Sequence, residues 1–272
     1  MDRYAVIGNP VEHSRSPRIH ALFARQTRQS LGYEKLLAPL DDFAGTVRRF
    51  QDEGGRGANV TLPFKLEALK LCEVLSERAR RAGAVNTLTL TPDRQIQGDN
   101  TDGAGLLRDL TVNYGLDLDG LRILLLGAGG AVRGTLPSLL EAAPAAIWIA
   151  NRTPAKALAL AADFSGDIPV EACGYFALEG EAFDMIINGT SSGLTGETPP
   201  LPGDVLKPGG ICYDMLYGDA PTPFLRWAAT HGAGVLADGL GMLVEQAAES
   251  FLIWRGLRPD TQPVLKQLRA EL

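Results

Sequence analysis

Arg122-Ile-Leu-Leu-Leu-Gly-Ala-Gly-Gly-Ala-Val-Arg-Gly-Thr135 reads as a strand, a turn and the start of a helix. Residues 123–126 are a short continuous apolar run, the pattern of a strand covered on both faces in a parallel sheet. Gly127, Gly129 and Gly130 end the run at once. Glycine accepts positive φ and lets backbone approach a ligand, so the first N–H groups of the next helix can meet a phosphate at the positive end of its dipole. In an open α/β sheet that arrangement holds the pyrophosphate of a dinucleotide, here over Gly127, Ala128, Gly129, Gly130 and Ala131. The match is partial. Five positions after the first glycine the fingerprint expects Gly or Ala, and this chain has Val132. A glycine-rich turn without a ligand has the same local signature, so neighbouring segments must decide.

Downstream, residues 146–149 form the next strand, and the stretch after it bears on the cofactor. An NAD site places Asp or Glu about 20 residues past the first glycine, to accept from the ribose 2′-hydroxyl. Here the chain offers Asn151, Arg152, Thr153 and Lys156, with no carboxylate before Asp163. Arg152 suits a 2′-phosphate through charge-assisted bonds, Asn151 and Thr153 add neutral ones, and Lys156 adds positive potential. NADP is therefore expected over NAD. Further strands fall at 183–187, which breaks at Asn188-Gly-Thr-Ser-Ser-Gly193, at 211–214, which runs into Met215-Leu-Tyr217, and at 235–237. A helix spans 223–230. Asp238 caps a long helix over 239–255, with Leu240, Leu243, Val244, Ala247 and Phe251 on its apolar face. Gly239, Met242 and Gln246 share a second face, which suits the lining of a cleft and equally suits core filling.

Upstream, the chain also alternates strand and helix. Residues 4–7 form a strand, after which Ser14-Arg-Ser-Pro17 places Ser16 as an N-cap before proline at the first helical position. Ser14 is left over, and the two hydroxyls together could hold a carboxylate. Asp41 and Asp42 open a helix through Val47 and Phe50. Asn59-Val-Thr-Leu-Pro-Phe-Lys65 then ends a strand bearing Asn59 and Thr61. Pro63 begins a helix expected to continue over 64–82, with Lys65 in its first turn. A cation there opposes the helix dipole at a cost of a few tenths to about 1 kcal/mol. Local rules are broken where function overrides propensity, and that field with partial burial favours the neutral amine a general base needs. Residues 84–90 form a strand containing Asn86, and 95–97 a return. Asp102 stands ready to cap a helix over 103–110. Asn59, Thr61, Lys65, Asn86 and Asp102 thus gather at strand ends, where open α/β sheets put their ligands.

The 272 residues suggest about two domains, and 45% hydrophobic with 21% charged content is ordinary for a globular chain. A net charge of −6 leaves no basic surplus to neutralise phosphates, so neither nucleic acid nor an anionic membrane is an expected partner. Cys72, Cys173 and Cys212 are odd in number and scattered, implying neither a disulfide framework nor a metal site. With no signal-peptide pattern and no apolar run of about 18 residues, a cytoplasmic location is expected.

Taken in order, Ser14-Arg-Ser-Pro17, the 59–65 motif, Ala84-Val-Asn-Thr87, Gly98-Asp-Asn-Thr-Asp-Gly103, the glycine turn, Asn151-Arg-Thr153, Thr190-Ser-Ser-Gly193, Tyr213-Asp-Met-Leu-Tyr217 and Asp238-Gly-Leu-Gly-Met-Leu-Val-Glu-Gln246 resemble the shikimate dehydrogenase family over nearly the whole chain. Val132 and Gly189, where alanine is often found, depart from its pattern. The resemblance implies an α/β protein of two domains: a substrate-binding domain over 1–103 and a doubly wound Rossmann-type NADP(H)-binding domain over 104–238, with C-terminal helices over 239–272 packing back on the first. It implies Ser14, Ser16 and Tyr217 on a shikimate carboxylate, and Asn59, Thr61, Asn86, Asp102 and Gln246 on ring hydroxyls. Lys65 and Asp102 would be the catalytic pair. Thr190, Met215, Gly239 and Met242 fall to the nicotinamide end of the cofactor, and the resemblance alone places Glu77 near it. No metal is implied, and a monomer and a homodimer stay equally open. A quinate-oxidising relative, a non-catalytic ligand sensor and an unrelated hydroxy-acid dehydrogenase are the competing readings. Retention of both Lys65 and Asp102 speaks against the sensor.

Overall fold

The computed structural model describes residues 1–164 and 166–272. The chain forms two compact units, Met1–Leu106 with Leu243–Glu271, and Leu107–Met242 with Leu272. In the first unit the order is β1 (Asp2–Gly8), α1 (Ser16–Thr27), β2 (Leu31–Leu37), α2 (Phe43–Asp52), β3 (Gly55–Val60), α3 (Lys65–Leu71), β4 (Val74–Leu75), α4 (Glu77–Ala82), β5 (Thr87–Leu90), β6 (Ile96–Asp99) and α5 (Asp102–Arg108). The sheet runs β2-β1-β3-β5-β6-β4. β1 is parallel to β2 and β3, β5 is antiparallel to β3 and β6, and β4 is parallel to β6. One side of the sheet is closed by Phe43, Val47, Phe50 and Phe64 over Ile7, Val60 and Leu88, with Phe43 and Phe64 stacked at 4.8 Å.

The second unit holds β7 (Arg122–Leu126), α6 (Gly130–Glu141), β8 (Ala146–Ala150), α7 (Pro154–Ala162), β9 (Val170–Cys173), β10 (Phe183–Asn188), β11 (Leu206–Asp214), α8 (Pro223–Thr230) and β12 (Val235–Asp238). All its strand pairs are parallel, in the order β9-β8-β7-β10-β11-β12. Counted from β7 this is 3-2-1-4-5-6, the doubly wound order whose direction reverses between β7 and β10. Ile123, Leu124, Leu125 and Leu126 are fully buried, as their continuous apolar run requires. The chain ends with α9 (Leu240–Arg255), whose residues from Leu243 onward belong to the first unit, and α10 (Thr261–Ala270). No helix among the described residues is long and apolar enough to cross a membrane.

Several local expectations are corrected. Ser16 is not the N-cap of α1: Arg15 takes that position in a right-handed helical conformation, and it is Ser14 whose Oγ accepts the Ser16 N–H, at 3.3 Å. The Ser16 hydroxyl is thereby released from capping. Asp102 is no cap either. Asn100 Oδ1 accepts the Asp102 N–H at 3.1 Å, leaving the Asp102 carboxylate for other partners. The helix expected over 64–82 starts at Lys65 and breaks at Cys72, whose backbone is extended; β4 then adds to the sheet and Ser76 caps α4 by accepting from Ala79 N. β5 begins only at Thr87. Before it, Val85 N donates to Lys65 O and Asn86 O accepts from Val60 N, so these residues bond to neighbouring segments. The helix expected over 103–110 runs from Asp102 to Arg108 and widens into a π-turn at Asp109–Asn113.

Candidate active site and dinucleotide site

Lys65 is the first residue of α3, directly after the turn that follows β3. Its Nζ lies 2.5 Å from Asp102 Oδ2, with side-chain exposures of only 12% and 6%. Desolvation makes this pair interdependent, since deleting either partner strands a charge away from water. The other carboxylate oxygen, Oδ1, accepts from Asn86 Nδ2 at 2.8 Å. Asn86 is bonded on every side. Its Nδ2 also donates to Thr101 Oγ1 at 2.9 Å and Gln246 Oε1 at 3.4 Å, and its Oδ1 accepts from Thr101 N and the Thr87 hydroxyl. Asp102 is thus gripped from the side opposite Lys65, which fixes the direction in which the lysine ammonium is held.

A second group adjoins this one. Asn59, buried at the end of β3, donates from Nδ2 to Ser250 Oγ at 2.8 Å, Thr87 Oγ1 at 3.2 Å and Asn86 O at 3.3 Å. Its Oδ1 accepts from the Tyr33 phenol at 2.7 Å. Ser14 donates to Ser16 Oγ at 3.2 Å. Gln246 is held by its own helix through Leu243 O at 2.8 Å. Thr61, just beyond β3, is half-buried and donates its N–H to Ile7 O. The first unit therefore gathers Asn59, Lys65, Asn86, Asp102 and Gln246 into one network. Four members went unnoticed in the sequence. Ser250 lies one helical turn beyond Gln246 and shares its face, and Thr87 and Thr101 stand beside Asn86 and Asp102, so spacing could have revealed them. Tyr33 carries no local signal, because β2 has no continuous apolar run or clean alternation. Glu77 is exposed and pairs with Arg80 at 3.4 Å.

In the second unit Gly127 takes φ +104°, and a Cβ there would come within 3.2 Å of Gly189 O. Gly129 is the N-cap of α6, no side chain caps this helix, and a Cβ on Gly129 would meet open space. An open, uncapped helix entrance is what a pyrophosphate needs. Ala128, Gly130 and Ala131 complete the turn. α7 likewise has no side-chain cap, and Arg152, Thr153 and Lys156 are exposed around its start, with Asn151 Nδ2 donating to Thr153 O at 2.9 Å. No acid occupies the first turn of α7, so the residues present fit a 2′-phosphate. Asn188 and Asp214, at the ends of β10 and β11, are bonded at 3.2 Å. Burial raises the Asp214 carboxyl above its ordinary value, while bonds from Thr222, Leu216 N and Asn188 act the other way. Asn188 Oδ1 accepts from both N–H and hydroxyl of Thr190, and Gly239 lies so close to Met215 O that no Cβ could be added. Thr190, Met215 and Gly239 are thus set by the strand ends themselves. Met242 is buried on α9, and Tyr217 is half-buried beyond β11.

A doubly wound parallel sheet with one uncapped helix at its switch point and another after the next strand, joined in one chain to a desolvated lysine–aspartate pair, defines a dinucleotide-dependent oxidoreductase. Residues 6–88 match the family model described as shikimate dehydrogenase substrate binding domain, 110–195 that for shikimate / quinate 5-dehydrogenase, and 239–269 that for the shikimate 5'-dehydrogenase C-terminal domain. A shikimate dehydrogenase (NADP(+)) of Alkalilimnicola ehrlichii is 58% identical over 270 residues, covering 99% of each chain. Among solved structures, an Ael1 enzyme from Pseudomonas putida superposes with a TM-score of 0.90 at 50% identity over 98% of each chain. Shikimate 5-dehydrogenase from Thermus thermophilus, solved with NADP(H) and shikimate, does so with a TM-score of 0.87 at 35% identity over 100% of each. The chain belongs to the shikimate dehydrogenase family.

Proposed function

We propose that the chain catalyses the reversible NADPH-dependent reduction of 3-dehydroshikimate to shikimate, a step of aromatic biosynthesis, with the first unit holding the hydroxy acid and the second the cofactor. The observation that carries the chemistry is the Lys65–Asp102 pair, a proton donor and its orienting carboxylate at 2.5 Å. NADPH, when bound, supplies the hydride. As the hydride reaches the C3 carbonyl carbon, the Lys65 ammonium gives its proton to the carbonyl oxygen, leaving a neutral amine and a secondary alcohol. In the oxidative direction neutral Lys65 removes the hydroxyl proton. Asp102 keeps Nζ pointed at that oxygen, and Asn86 keeps Asp102 in place. Ser14, Ser16 and Tyr217 take the carboxylate by hydroxyl donation, and Asn59, Thr61, Asn86, Asp102 and Gln246 take the ring hydroxyls. Gly127 to Ala131 receive the pyrophosphate, and Asn151, Arg152, Thr153 and Lys156 the 2′-phosphate. Thr190, Met215, Gly239 and Met242 face the nicotinamide end, with Glu77 near the cofactor. The enzyme works in the cytoplasm as a monomer or homodimer.

The test is loss of NADPH absorbance with 3-dehydroshikimate, repeated with NADH and run in reverse with shikimate and quinate. Lys65→Met is expected to lower kcat by about 10²- to 10⁴-fold with little change in KM for the acid. Turnover near that of the parent would remove Lys65 from the mechanism. Turnover with no pairing of substrate and cofactor would leave only a ligand-binding protein.

A further inference from the structure

Tyr33 lies on β2, at the edge of the sheet, and none of the roles above includes it. Its phenol donates to Asn59 Oδ1 at 2.7 Å, and the Ser16 side chain lies beside it. Ser16 in turn accepts from Ser14. A phenol carries one proton, so with that proton on Asn59 it can only accept from Ser16. Before substrate binds, the hydroxyls of Ser14, Ser16 and Tyr33 thus form a row that ends on the Asn59 side-chain carbonyl; a carboxylate at the serine pair takes up the two serine protons, and the Tyr33–Asn59 bond is the link that stays. On its far side Asn59 is committed as well, because Nδ2 faces Ser250, Thr87 and Asn86 O. The amide is thereby oriented with its oxygen toward Tyr33. The Tyr33 ring is itself held, lying parallel to the buried His20 ring at 4.2 Å and 6°, and His20 packs against Phe23, Phe251 and Trp254.

We propose that Tyr33 is a positioning residue for the substrate: standing beside the serine pair that takes the carboxylate, its hydroxyl holds the amide of the asparagine that takes a ring hydroxyl. The two ends of a polyhydroxy acid are then bound in a fixed register, and a ring acid with its hydroxyl displaced from that register is disfavoured. The inference rests on the substrate assignments of Ser14, Ser16 and Asn59 made above. Tyr33 touches no reacting atom, so its effect belongs in KM for the acid.

Tyr33→Phe keeps the ring and its stack on His20 and removes only the hydroxyl. KM for shikimate should rise about five- to tenfold, the scale of one hydrogen bond, with kcat and KM for NADP⁺ unchanged. Asn59→Ala and the double variant are measured beside it. The double variant should be less impaired than the product of the two single effects, because both break the same link. If Asn59→Ala raises KM for shikimate while Tyr33→Phe leaves it at the parental value, the inference is overturned and the site reading stands. If Asn59→Ala leaves KM unchanged, the site reading itself fails and takes the inference with it. An equal rise in KM for NADP⁺ in Tyr33→Phe would indicate general loosening and also overturn it. A melting temperature for each variant, taken alongside, would show such loosening independently of the kinetics.

Discussion

His20 offers a stability prediction whose size follows from its surroundings. The imidazole is fully buried among Phe23, Tyr33, Phe251 and Trp254, and neither ring nitrogen has a hydrogen-bond partner among the described residues. Burial disfavours the cation and pushes the ring down to about 3 from the usual 6.5. The folded form thus binds its proton more weakly than the unfolded chain does. The stability His20 contributes is intact above pH 6.5 and is lost as pH falls from 6.5 toward 3. At pH 5 the unfolded chain is already largely protonated at this site and the folded form is not, which removes about 2 kcal/mol relative to pH 7.5. The figure barely depends on the folded value, provided it stays well below 5. His20→Phe keeps a ring on Tyr33 and gives up no hydrogen bond, so it should abolish this increment whatever its own stability. Urea unfolding at the two pH values, followed by tryptophan fluorescence, measures the difference of differences; Trp254, 5.5 Å from His20, reports the site. An identical pH dependence in the parent and His20→Phe would refute the reasoning.

Arg152→Ala should raise KM for NADPH far more than KM for NADH, because only the former carries the 2′-phosphate. Equal effects on the two cofactors would count against that assignment. Gly189→Ala should weaken NADP⁺ binding, because the added Cβ would overlap Val132 Cγ2 and crowd Met215 Sδ at 3.1 Å. Val132→Ala should restore it, and a fluorescence titration of NADPH against both variants and their combination decides the matter by whether the effects fail to add. Glu245 is fully buried, paired with Arg258 at 2.7 Å and accepting from Thr261 at 2.6 Å. Arg258 also pairs with Glu249, so Glu245→Ala should cost about 1 to 3 kcal/mol in urea unfolding, mainly by leaving the buried Thr261 hydroxyl without its acceptor, and a loss below about 0.5 kcal/mol would refute this account.

Much of the second unit was legible because its signals are local. A buried parallel strand must be apolar throughout, and a glycine turn directly after it has few other uses, so β7 and the entrance to α6 could be read in place. The strand ends Asn59, Asn86 and Asp102 were also visible, as polar residues at positions where apolar periodicity stops. Bonds that reach across the chain left no local trace. β2 is mostly half-exposed and carries Glu34 and Lys35, so it lacks the apolar run or clean alternation of a core strand, and Tyr33 was lost with it. The break between α3 and α4 depends on β4 pairing with β6, more than 20 residues away. The capping signals at Ser16 and Asp102 mislead for a related reason. Each sits beside a second capping residue, Ser14 or Asn100, and only the backbone conformation decides which takes the amide. Val132 and Gly189, two departures from the expected pattern, lie against each other, with Val132 Cγ2 in the space a side chain at 189 would take.

The distribution of helix caps argues for the same ligand sites from an independent direction. α2, α4, α8 and α10 each receive a side-chain cap, from Asp42, Ser76, Thr222 and Asp260, and Ser14, Asn100 and Asp238 hold the first amides near α1, α5 and α9. α3, α6 and α7 have none. A missing cap typically costs about 1 kcal/mol, and all three of these helices also carry a cation at or beside the positive end: Lys65, Arg133 and Arg152. Neither choice helps a helix by itself. Both become favourable once an anion sits at the entrance, because the amides and the cation then act on it together. At α3 the cation already has an anion in the chain, Asp102 against Lys65; Arg133 has Asp163 at 2.7 Å. At α6 and α7 the proposed function supplies the anion, as phosphate oxygens of the cofactor. Replacing Gly129 with Asp would supply a competing carboxylate at the α6 entrance, so it should raise the melting temperature of the cofactor-free protein and weaken NADP⁺ binding together. Stability and affinity that rose together would show that the missing cap at α6 has nothing to do with the pyrophosphate.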